Sequence, residues 1–224
     1  MGLAAMATTA RGMAATVRVL GRGELGRFTG GDRSEVARFE SELAGFLGTP
    51  HALAVNSGTS ALVAALVGAG VGPGDEVLVP AYTWVSTAAA ALAVGAVPVL
   101  VEVDDSLTMD PADLKDRITP RSRAVLPVHM LNHVADMDAI MDVAAAHDLV
   151  VIEDACQAVG VTYRGRPAGS IGHAGAFSFT STRTSAPARA APWSPGTRSC
   201  SSGRRCTTTW AATNAPDSPG PTRT

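Results

Sequence analysis

The sequence predicts an α/β protein with three layers, in which helices cover both faces of a mainly parallel sheet. Three observations lead to this fold class. Six short apolar segments lie along the middle of the chain, and four helical segments alternate with them. Strand, helix, strand in repetition is typical of parallel sheets whose connecting helices lie on both faces. An abrupt change of composition after residue 179 restricts this fold to the first part of the 224-residue chain.

The predicted elements follow one another in regular order. Asp32 and Glu35 have the spacing of a capping box, and apolar residues follow at helical intervals until Gly48, which favours a helix end. The predicted strands are 51–55, 76–81, 97–103, 123–129, 149–154 and 174–179. The predicted helices between them are 59–69, 83–94, 110–117 and 136–147. Ligands of such folds bind at the carboxyl ends of the strands, so the residues there are the candidates for chemistry.

Composition divides the chain into three regions. Residues 1–31 are rich in alanine, carry no acid before Glu24 and are predicted to form a flexible N-terminal arm. Residues 32–179 are predicted to form the folded domain. Residues 180–224 contain no Ile, Leu, Val, Met or Phe, and we expect this tail to be disordered because it has almost nothing to bury.

Charge and cysteine content argue against several classes of function. In the first 179 residues twelve basic residues face nineteen acids, a net charge of −7, which disfavours a nucleic-acid partner. The basic tail is the alternative nucleic-acid arm, but it lacks a dense run of Lys and Arg. No apolar run reaches membrane-spanning length, so no membrane partner is expected. The three cysteines lack the spacing of a zinc site, which indicates no metal and a reduced, cytoplasmic protein.

The turn after the first predicted strand has the sequence NSGT, from Asn56 to Thr59. Backbone N–H groups at the start of a helix suit a phosphate, Gly58 allows close approach, and Thr59 adds a hydroxyl. The alternative is an ordinary turn in which Ser or Thr caps the helix. Taken alone, the residues favour the ordinary turn.

Three further strand ends carry aromatic or polar residues. Trp84 follows the second predicted strand and either packs in the core or stacks on a flat ring. Asp154 ends the fifth strand and is either a helix N-cap or a buried carboxylate that pairs with a protonated pyridine nitrogen. Ser178 offers a hydroxyl at the last strand. Together a phosphate cradle, a ring stacker and a carboxylate fit pyridoxal phosphate better than the separate alternatives do.

Several motifs carry a resemblance to a known family. They are HALAVNSGTSAL (51–62), GDEVLVPAYTWVST (74–87), IEDACQAVG (152–160) and AFSF (176–179). With them the chain resembles the DegT/DnrJ/StrS-type sugar aminotransferases, which use pyridoxal 5′-phosphate. The resemblance implies the large domain of the fold-type I (aspartate-aminotransferase) fold, incomplete here and without the small C-terminal domain. It also implies a homodimer that transfers an amino group from glutamate or glutamine to a keto-sugar nucleotide or a related cyclitol.

The resemblance further implies roles for individual residues. The implied cofactor-binding residues are Gly58, Thr59, Trp84, Asp154, Gln157 and Ser178. Gly58 and Thr59 match a phosphate-binding turn, and Trp84 matches the aromatic residue that stacks on the ring. Asp154 matches the aspartate that pairs with the pyridinium nitrogen. Gln157 matches a residue near the ring hydroxyl, and Ser178 matches a phosphate contact.

One position departs from the family pattern. The Schiff-base lysine of the family stands four residues after the second Phe of its Phe-Ser-Phe motif, where this chain has Arg183. Arginine stays protonated, so it can be neither the nucleophile nor the general base. The only lysine is Lys115, in a helix predicted to lie at the surface. We therefore expect this chain to be inactive as an aminotransferase, and we expect no covalent attachment of the cofactor. The alternative function is a non-catalytic remnant, a cofactor-binding protein or a dimer partner.

A single-base frameshift accounts for both the arginine and the tail. The family pattern after the lysine is approximately K-N-L-x-x-G-E-G-G, and one deleted base in a gene for such a sequence yields RTSAPARA, which stands at 183–190. The hypothesis implies that the family sequence is truncated after residue 182 and that apolar surface is exposed. The alternative is a divergent tail that the gene genuinely encodes.

Overall fold

The computed structural model describes residues 10–23 and 34–179, and the backbone of residues 209–213. The helices are α1 (Ala10–Arg22), α2 (Glu35–Leu47), α3 (Gly58–Gly68), α4 (Ser86–Ala93), α5 (Pro111–Asp116) and α6 (Met137–Ala146). The strands are β1 (His51–Val55), β2 (Glu76–Pro80), β3 (Val97–Val101), β4 (Ser122–Val125), β5 (Val150–Asp154), β6 (Thr162–Tyr163), β7 (Arg166–Pro167), β8 (Ala174–Ser178) and β9 (Thr209–Thr213).

Seven of these strands form one sheet in the order β1-β9-β8-β5-β4-β2-β3. The five strands from β8 to β3 pair in parallel, and β9 pairs antiparallel with both β1 and β8. The predicted α/β fold with a mainly parallel sheet is confirmed. Its carboxyl-end edge gathers the ends of β2, β4, β5 and β8, which is where candidate residues were expected.

Helices lie on both faces of the sheet because its strands are apolar on both sides. Val77 and Val79 of β2 belong to the cluster formed with α3 and α4, whereas Leu78 between them joins the cluster formed with α6. Side chains alternate between faces along a strand, so the two clusters lie on opposite faces of the sheet, each between the sheet and one helix layer. Leu62 and Ile140, almost fully buried on opposite faces, each stabilise the fold by about 1.5–3 kcal/mol.

The strand predicted over 123–129 is shorter in the structure. β4 ends at Val125, and Leu126 still donates its N–H to the Leu78 carbonyl at 2.9 Å. Pro127 has no N–H to donate, which interrupts the ladder. Val128 regains a single parallel bridge to Asp154, so this chain segment continues alongside β5 without being a regular strand.

The N-terminal boundary of α2 differs from the predicted capping box. Ser34 is the N-cap, and its Oγ accepts from the Ala37 N–H at 3.0 Å. The hydroxyl satisfies one of the first N–H groups of the helix, which is the task that the sequence assigned to Asp32. Asp32 lies outside the described residues. The predicted end is confirmed, since Gly48 takes the left-handed conformation with φ 68°.

Two regions predicted to lack order contain regular elements. Within the predicted flexible arm 1–31, residues Ala10–Arg22 form α1, a sequence without Pro that is rich in alanine. Within the predicted disordered tail 180–224, residues Thr209–Thr213 form β9. Its backbone lies between β1 and β8 and pairs with both strands, and main-chain pairing does not need aliphatic side chains. The rest of both regions lies outside the described residues.

A buried carboxylate stabilises the amino end of the sheet. The Glu76 carboxylate accepts from the Thr119 hydroxyl and from Arg121, whose Nε lies 2.9 Å from Oε1. The Thr119 hydroxyl and then the Arg121 guanidinium lower the pKa of Glu76 below its ordinary value. These contacts join the start of β2 to the turn before β4, at the edge opposite the candidate residues.

Candidate functional site

The turn before α3 presents backbone donors at the carboxyl-end edge of the sheet. Ser57 is the N-cap, and its Oγ accepts from the Ser60 N–H at 3.0 Å. Within the described part of the chain no group accepts from the N–H of Gly58 or Thr59. The capping alternative is confirmed for Ser57. The phosphate-binding role of Gly58 and Thr59 stays a prediction, which their N–H groups at the positive end of the helix allow.

Asp154 is a buried carboxylate without a cationic partner among residues 10–23 and 34–179. It is 5% exposed; its Oδ2 accepts from Thr87 Oγ1 at 2.8 Å and its Oδ1 from the Cys156 N–H at 3.2 Å. No helix starts after β5 in the described residues up to 179, so the helix N-cap interpretation is wrong. A buried carboxylate with lone pairs left over suits a cationic hydrogen-bond donor.

Thr87 is a site residue that the sequence analysis did not identify. It lies in the first turn of α4, is fully buried, and donates to Asp154 from the helix layer that packs on this face of the sheet. Its hydroxyl fixes one carboxylate oxygen, while the Cys156 N–H binds the other. One sequence signal was available, since Thr87 is a polar residue that opens the otherwise apolar run Ala88 to Ala93.

Trp84 precedes α4 and does not pack in the core. The helix predicted over 83–94 begins at Ser86, and the Trp84 side chain is 55% exposed. The core-packing alternative is therefore wrong. Trp84 accepts the Thr87 N–H on its carbonyl at 3.1 Å, so the indole and the Asp154 donor belong to the same turn. Tyr82, 50% exposed, adds a second aromatic ring to this edge.

Ser178 and Gln157 are also at the carboxyl-end edge. Ser178 is 4% exposed, and no described residue hydrogen-bonds to its hydroxyl. It follows Ala174 and Ala176 at alternate positions of β8, so it faces the α3 and α4 side, as Asp154 does on β5. Gln157 lies in the turn after Asp154, half-buried, with Nε2 3.4 Å from Met130 Sδ.

These residues fit an anionic group joined to a cationic ring. The α3 start and the Ser178 hydroxyl, which has no partner among the described residues, provide donors for a phosphate. Asp154 provides a carboxylate for a protonated ring nitrogen. Pyridoxal 5′-phosphate has both features. Within the described residues no cluster of three or more His, Cys, Asp or Glu side chains could hold a metal ion. The same residues contain no helix long and apolar enough to cross a membrane.

Comparison with known proteins agrees with this chemistry. Residues 15–188 match the model of the DegT/DnrJ/EryC1/StrS aminotransferase family, which is more than half of the chain. The chain belongs to this family. The expected family membership is thus confirmed, and the matched range contains all the candidate site residues.

Two curated relatives of this aminotransferase-family chain are sugar enzymes by name. It is 48% identical over 145 residues to GDP-perosamine synthase of Caulobacter vibrioides, covering 64% of this chain and 39% of the relative. It is 48% identical over 167 residues to the dTDP-3-amino-3,4,6-trideoxy-alpha-D-glucose transaminase of Streptomyces venezuelae, covering 74% and 43%. The chain thus spans about two fifths of the length of these relatives.

A solved structure shows the same fold with the cofactor named. The PMP form of a putative sugar aminotransferase from Streptococcus pneumoniae superposes with a TM-score of 0.78 and 27% identity, covering 93% of this chain and 51% of that one. The fold-type I architecture expected from the resemblance is confirmed by this match.

The family chain has one lysine, and it lies far from the candidate site. Lys115 is exposed at the end of α5 and lines a cleft with Ser122, the first residue of β4. That edge of the sheet is opposite the one where Asp154 ends β5. The predicted surface position of Lys115 is confirmed. Arg183, the residue at the expected lysine position, lies outside the described residues.

Proposed function

We propose that this chain binds pyridoxal 5′-phosphate reversibly at the carboxyl-end edge of its sheet and, with arginine at position 183, does not transaminate. The observation that carries the proposal is Asp154, a buried carboxylate that Thr87 orients and that no described cation pairs with. Bound there, the cofactor supplies an electron sink for amino-group transfer. The family and the cofactor named for a solved relative support the assignment.

In this proposal each residue type has a distinct task. The N–H groups of Gly58 and Thr59 and the Ser178 hydroxyl bind the phosphate, because all three are donors without described acceptors. Asp154 holds the proton on the ring nitrogen by favouring its charged form. Trp84 covers one face of the ring, since its exposed indole lies beside the turn that carries Thr87.

The absence of covalent chemistry follows from the sequence. Arg183 stays protonated and is not a nucleophile, and Lys115 lies at the opposite edge of the sheet. A cofactor-binding remnant is therefore the form of the function that these residues favour. An in-frame lysine at position 183 is required for amino transfer in this proposal.

We also propose the partners of the intact activity. The acceptor is a keto-sugar nucleotide or a related cyclitol, the amino donor is glutamate or glutamine, and the working unit is a homodimer. The names of the two sugar-enzyme relatives support the acceptor class. Exposed Tyr82, Trp84 and Val85 at the site edge support a covering partner surface. Sedimentation of the purified chain tests the dimer, and a monomer at tens of micromolar would contradict it.

The decisive experiment is a spectral titration of the full chain with pyridoxal 5′-phosphate, followed by borohydride reduction and peptide mapping. We expect saturable, dialysable binding that D154N weakens by roughly tenfold, as expected for a lost contact to a charged group. Lys115→Arg is the matched control, because it removes the only side-chain amine while leaving the site untouched. A reduced adduct outside Lys115 and the N-terminus, or binding that D154N leaves unchanged, would overturn the proposal.

A second variant tests the role of position 183. Two proteins should be titrated with pyridoxal 5′-phosphate side by side. One is the Arg183→Lys variant of the otherwise unaltered chain, and the other is the product of a gene with the reading frame restored. We expect the restored protein to retain the cofactor after dialysis and to transaminate keto-sugar nucleotides. If the unaltered chain already catalyses transfer, the non-catalytic assignment is wrong.

A further inference from the structure

Glu153 is a fully buried carboxylate that meets four donors and no Lys or Arg among the described residues. Its Oε1 accepts from the N–H groups of Ile171 at 2.6 Å and Gly172 at 2.7 Å. Its Oε2 accepts from the Gly169 N–H at 2.7 Å and lies 2.9 Å from His129 Nε2. An ionised carboxylate accepts all four hydrogen bonds, whereas a protonated one would direct its O–H toward a donor.

The hydrogen bonds of His129 define which of its nitrogens carries the proton. The imidazole is fully buried, and the Ala135 N–H donates to its Nδ1 at 3.3 Å. Nδ1 therefore has no proton, so Nε2 carries it and donates to Glu153. Through its two ring nitrogens His129 links the segment 129–135 to the buried carboxylate.

Main-chain hydrogen bonds connect this pair to the candidate site on the other face of the sheet. The His129 N–H donates to the Asp154 carbonyl at 3.1 Å, and the Asp154 N–H donates to the Pro127 carbonyl at 2.9 Å. Glu153 and Asp154 are consecutive on β5, so their side chains lie on opposite faces. The Asn132 N–H donates to the Gln157 carbonyl at 3.2 Å.

The loop between His129 and Ala135 contains backbone strain. Leu131 and Asn132 are consecutive non-glycine residues with φ of 50° and 68°. Side chains disfavour this left-handed region, and such residues persist only where the surroundings hold them. The Ala135 N–H to His129 Nδ1 and the Asn132 N–H to the Gln157 carbonyl are among the described bonds that close the loop. The His133 N–H also donates to the Met130 carbonyl at 2.7 Å, and Gln157 Nε2 lies 3.4 Å from Met130 Sδ.

We propose that the His129–Glu153 pair is a positioning element for the candidate cofactor site. It holds the main chain of Asp154 and Gln157 from behind the sheet and keeps the strained loop against Gln157. The proposal rests on the proposed function, because it acts through the contact of Asp154 with a ring nitrogen. His129 and Glu153 themselves do not touch the ligand.

The test measures selectivity for the ring nitrogen. The full chain is titrated with pyridoxamine 5′-phosphate and with its 1-deaza analogue, in which a C–H replaces the ring nitrogen. We expect the unaltered chain to prefer the first ligand by roughly tenfold, a ratio typical of a hydrogen bond to a charged group. E153Q has the same shape but brings an NH₂ toward existing donors, and we expect it to lose most of that preference.

Two substitutions of His129 separate its two hydrogen bonds. His129→Gln can keep a donor near Glu153, whereas His129→Asn can keep an acceptor near Ala135. If the link to Glu153 positions the site, His129→Gln retains more selectivity than His129→Asn. Ile140→Ala is the stability control and should keep the selectivity. It opens a cavity in the apolar cluster between the sheet and α6 and removes none of the hydrogen bonds of His129 or Glu153.

The outcomes separate the two proposals. If the unaltered chain shows no preference for the ring nitrogen, the proposed function fails. If the preference exists and D154N removes it while E153Q and both His129 variants keep it, the positioning role is refuted and the function stands. Nitrogen chemical shifts of His129 in the unaltered chain give a test independent of variant folding. A proton on Nδ1 would also refute the role, because the Ala135 N–H then has no acceptor there.

Discussion

The hydrogen bond from Thr87 to Asp154 provides the sharpest test of how the site is built. Thr87→Val keeps the shape of the side chain and removes its hydroxyl, which donates to Asp154 Oδ2 at 2.8 Å and lies 3.5 Å from Thr83 Oγ1. Both residues are buried, so water cannot replace the lost partner. A hydrogen bond to a charged group is worth about 1.5–3 kcal/mol, and we expect the free energy of unfolding to fall by about 2 kcal/mol. For a domain of this size that lowers the melting temperature by roughly 4–8 °C.

A double-mutant cycle separates this bond from general damage. The cycle combines Thr87→Val with Asp154→Ala, and each variant is unfolded in urea at pH 7. We expect a coupling energy of about 1.5–3 kcal/mol, because either single change removes the same interaction. Thr87→Ser keeps the hydroxyl and serves as the control, with a loss of about 1 kcal/mol for one missing methyl.

The same variants connect the bond to ligand binding. Thr87→Val leaves the carboxylate free to rotate, so we expect pyridoxamine 5′-phosphate to bind about tenfold more weakly, while Thr87→Ser binds as the unaltered chain does. Additive single effects, with a coupling energy below about 0.5 kcal/mol, would refute the role of Thr87 as the orienting donor. Equal affinities of the valine and serine variants would refute it independently.

Three further changes test the fold. The donors of Glu76 lower its pKa in the folded state, so its stabilisation is present above about pH 4.3 and is lost as the pH falls through the folded pKa. We expect the unaltered chain to be more stable than E76Q by about 1 kcal/mol at pH 7 and by less at pH 3. A stability difference that stays constant with pH would contradict this. Ala211→Pro removes a ladder donor from β9 and should lower the urea midpoint by an amount equivalent to about 3 kcal/mol; an unchanged midpoint would mean that β9 does not stabilise the sheet. Gly175→Ala would bring its Cβ to 2.0 Å from a backbone oxygen and should destabilise by at least about 2 kcal/mol, while Gly45→Ala, with open space inside α2, should stabilise by roughly 0.5–1 kcal/mol; the reverse order in thermal melting would refute the packing argument.

The parallel sheet was predictable because most of its strands contain a short apolar run, such as Val77–Val79 in β2 and Val97–Val101 in β3. The strand Glu76–Pro80 is buried along its whole length, and only a strand covered on both faces has that pattern. The ends of such strands also gave the positions of Asp154 and Ser178. The local sequence therefore contained both the fold and the edge where the site lies.

The contacts inside the site were not predictable in the same way. Thr87 and Asp154 are 67 positions apart, and their hydrogen bond depends on how α4 packs across the sheet. His129 and Glu153 are 24 positions apart and meet only because β4 and β5 are neighbours. Periodicity reports which side of an element is buried, but it does not report which polar groups face each other once it is buried.

The two elements missed at the chain ends have a related explanation. The sequence argument counted aliphatic residues, and by that measure Thr209–Thr213 had nothing to contribute to a core. β9 instead pairs through its main chain with two strands at once, so its neighbours supply what its side chains lack. Composition estimates the capacity to fold alone, and this strand does not fold alone.

Ligand binding and covalent chemistry depend on different parts of this chain. Every residue proposed to bind the cofactor precedes residue 180, and these residues act through hydrogen bonds, charge and stacking, none of which needs an amine. In the proposed function the amine belongs to position 183, where this chain has arginine. Selectivity for the ring nitrogen therefore reports on Asp154 and the groups that hold it, whereas retention after dialysis reports on position 183. Because the two measurements fail independently, selective binding without retention would indicate that the chain has the candidate cofactor site and lacks the nucleophile.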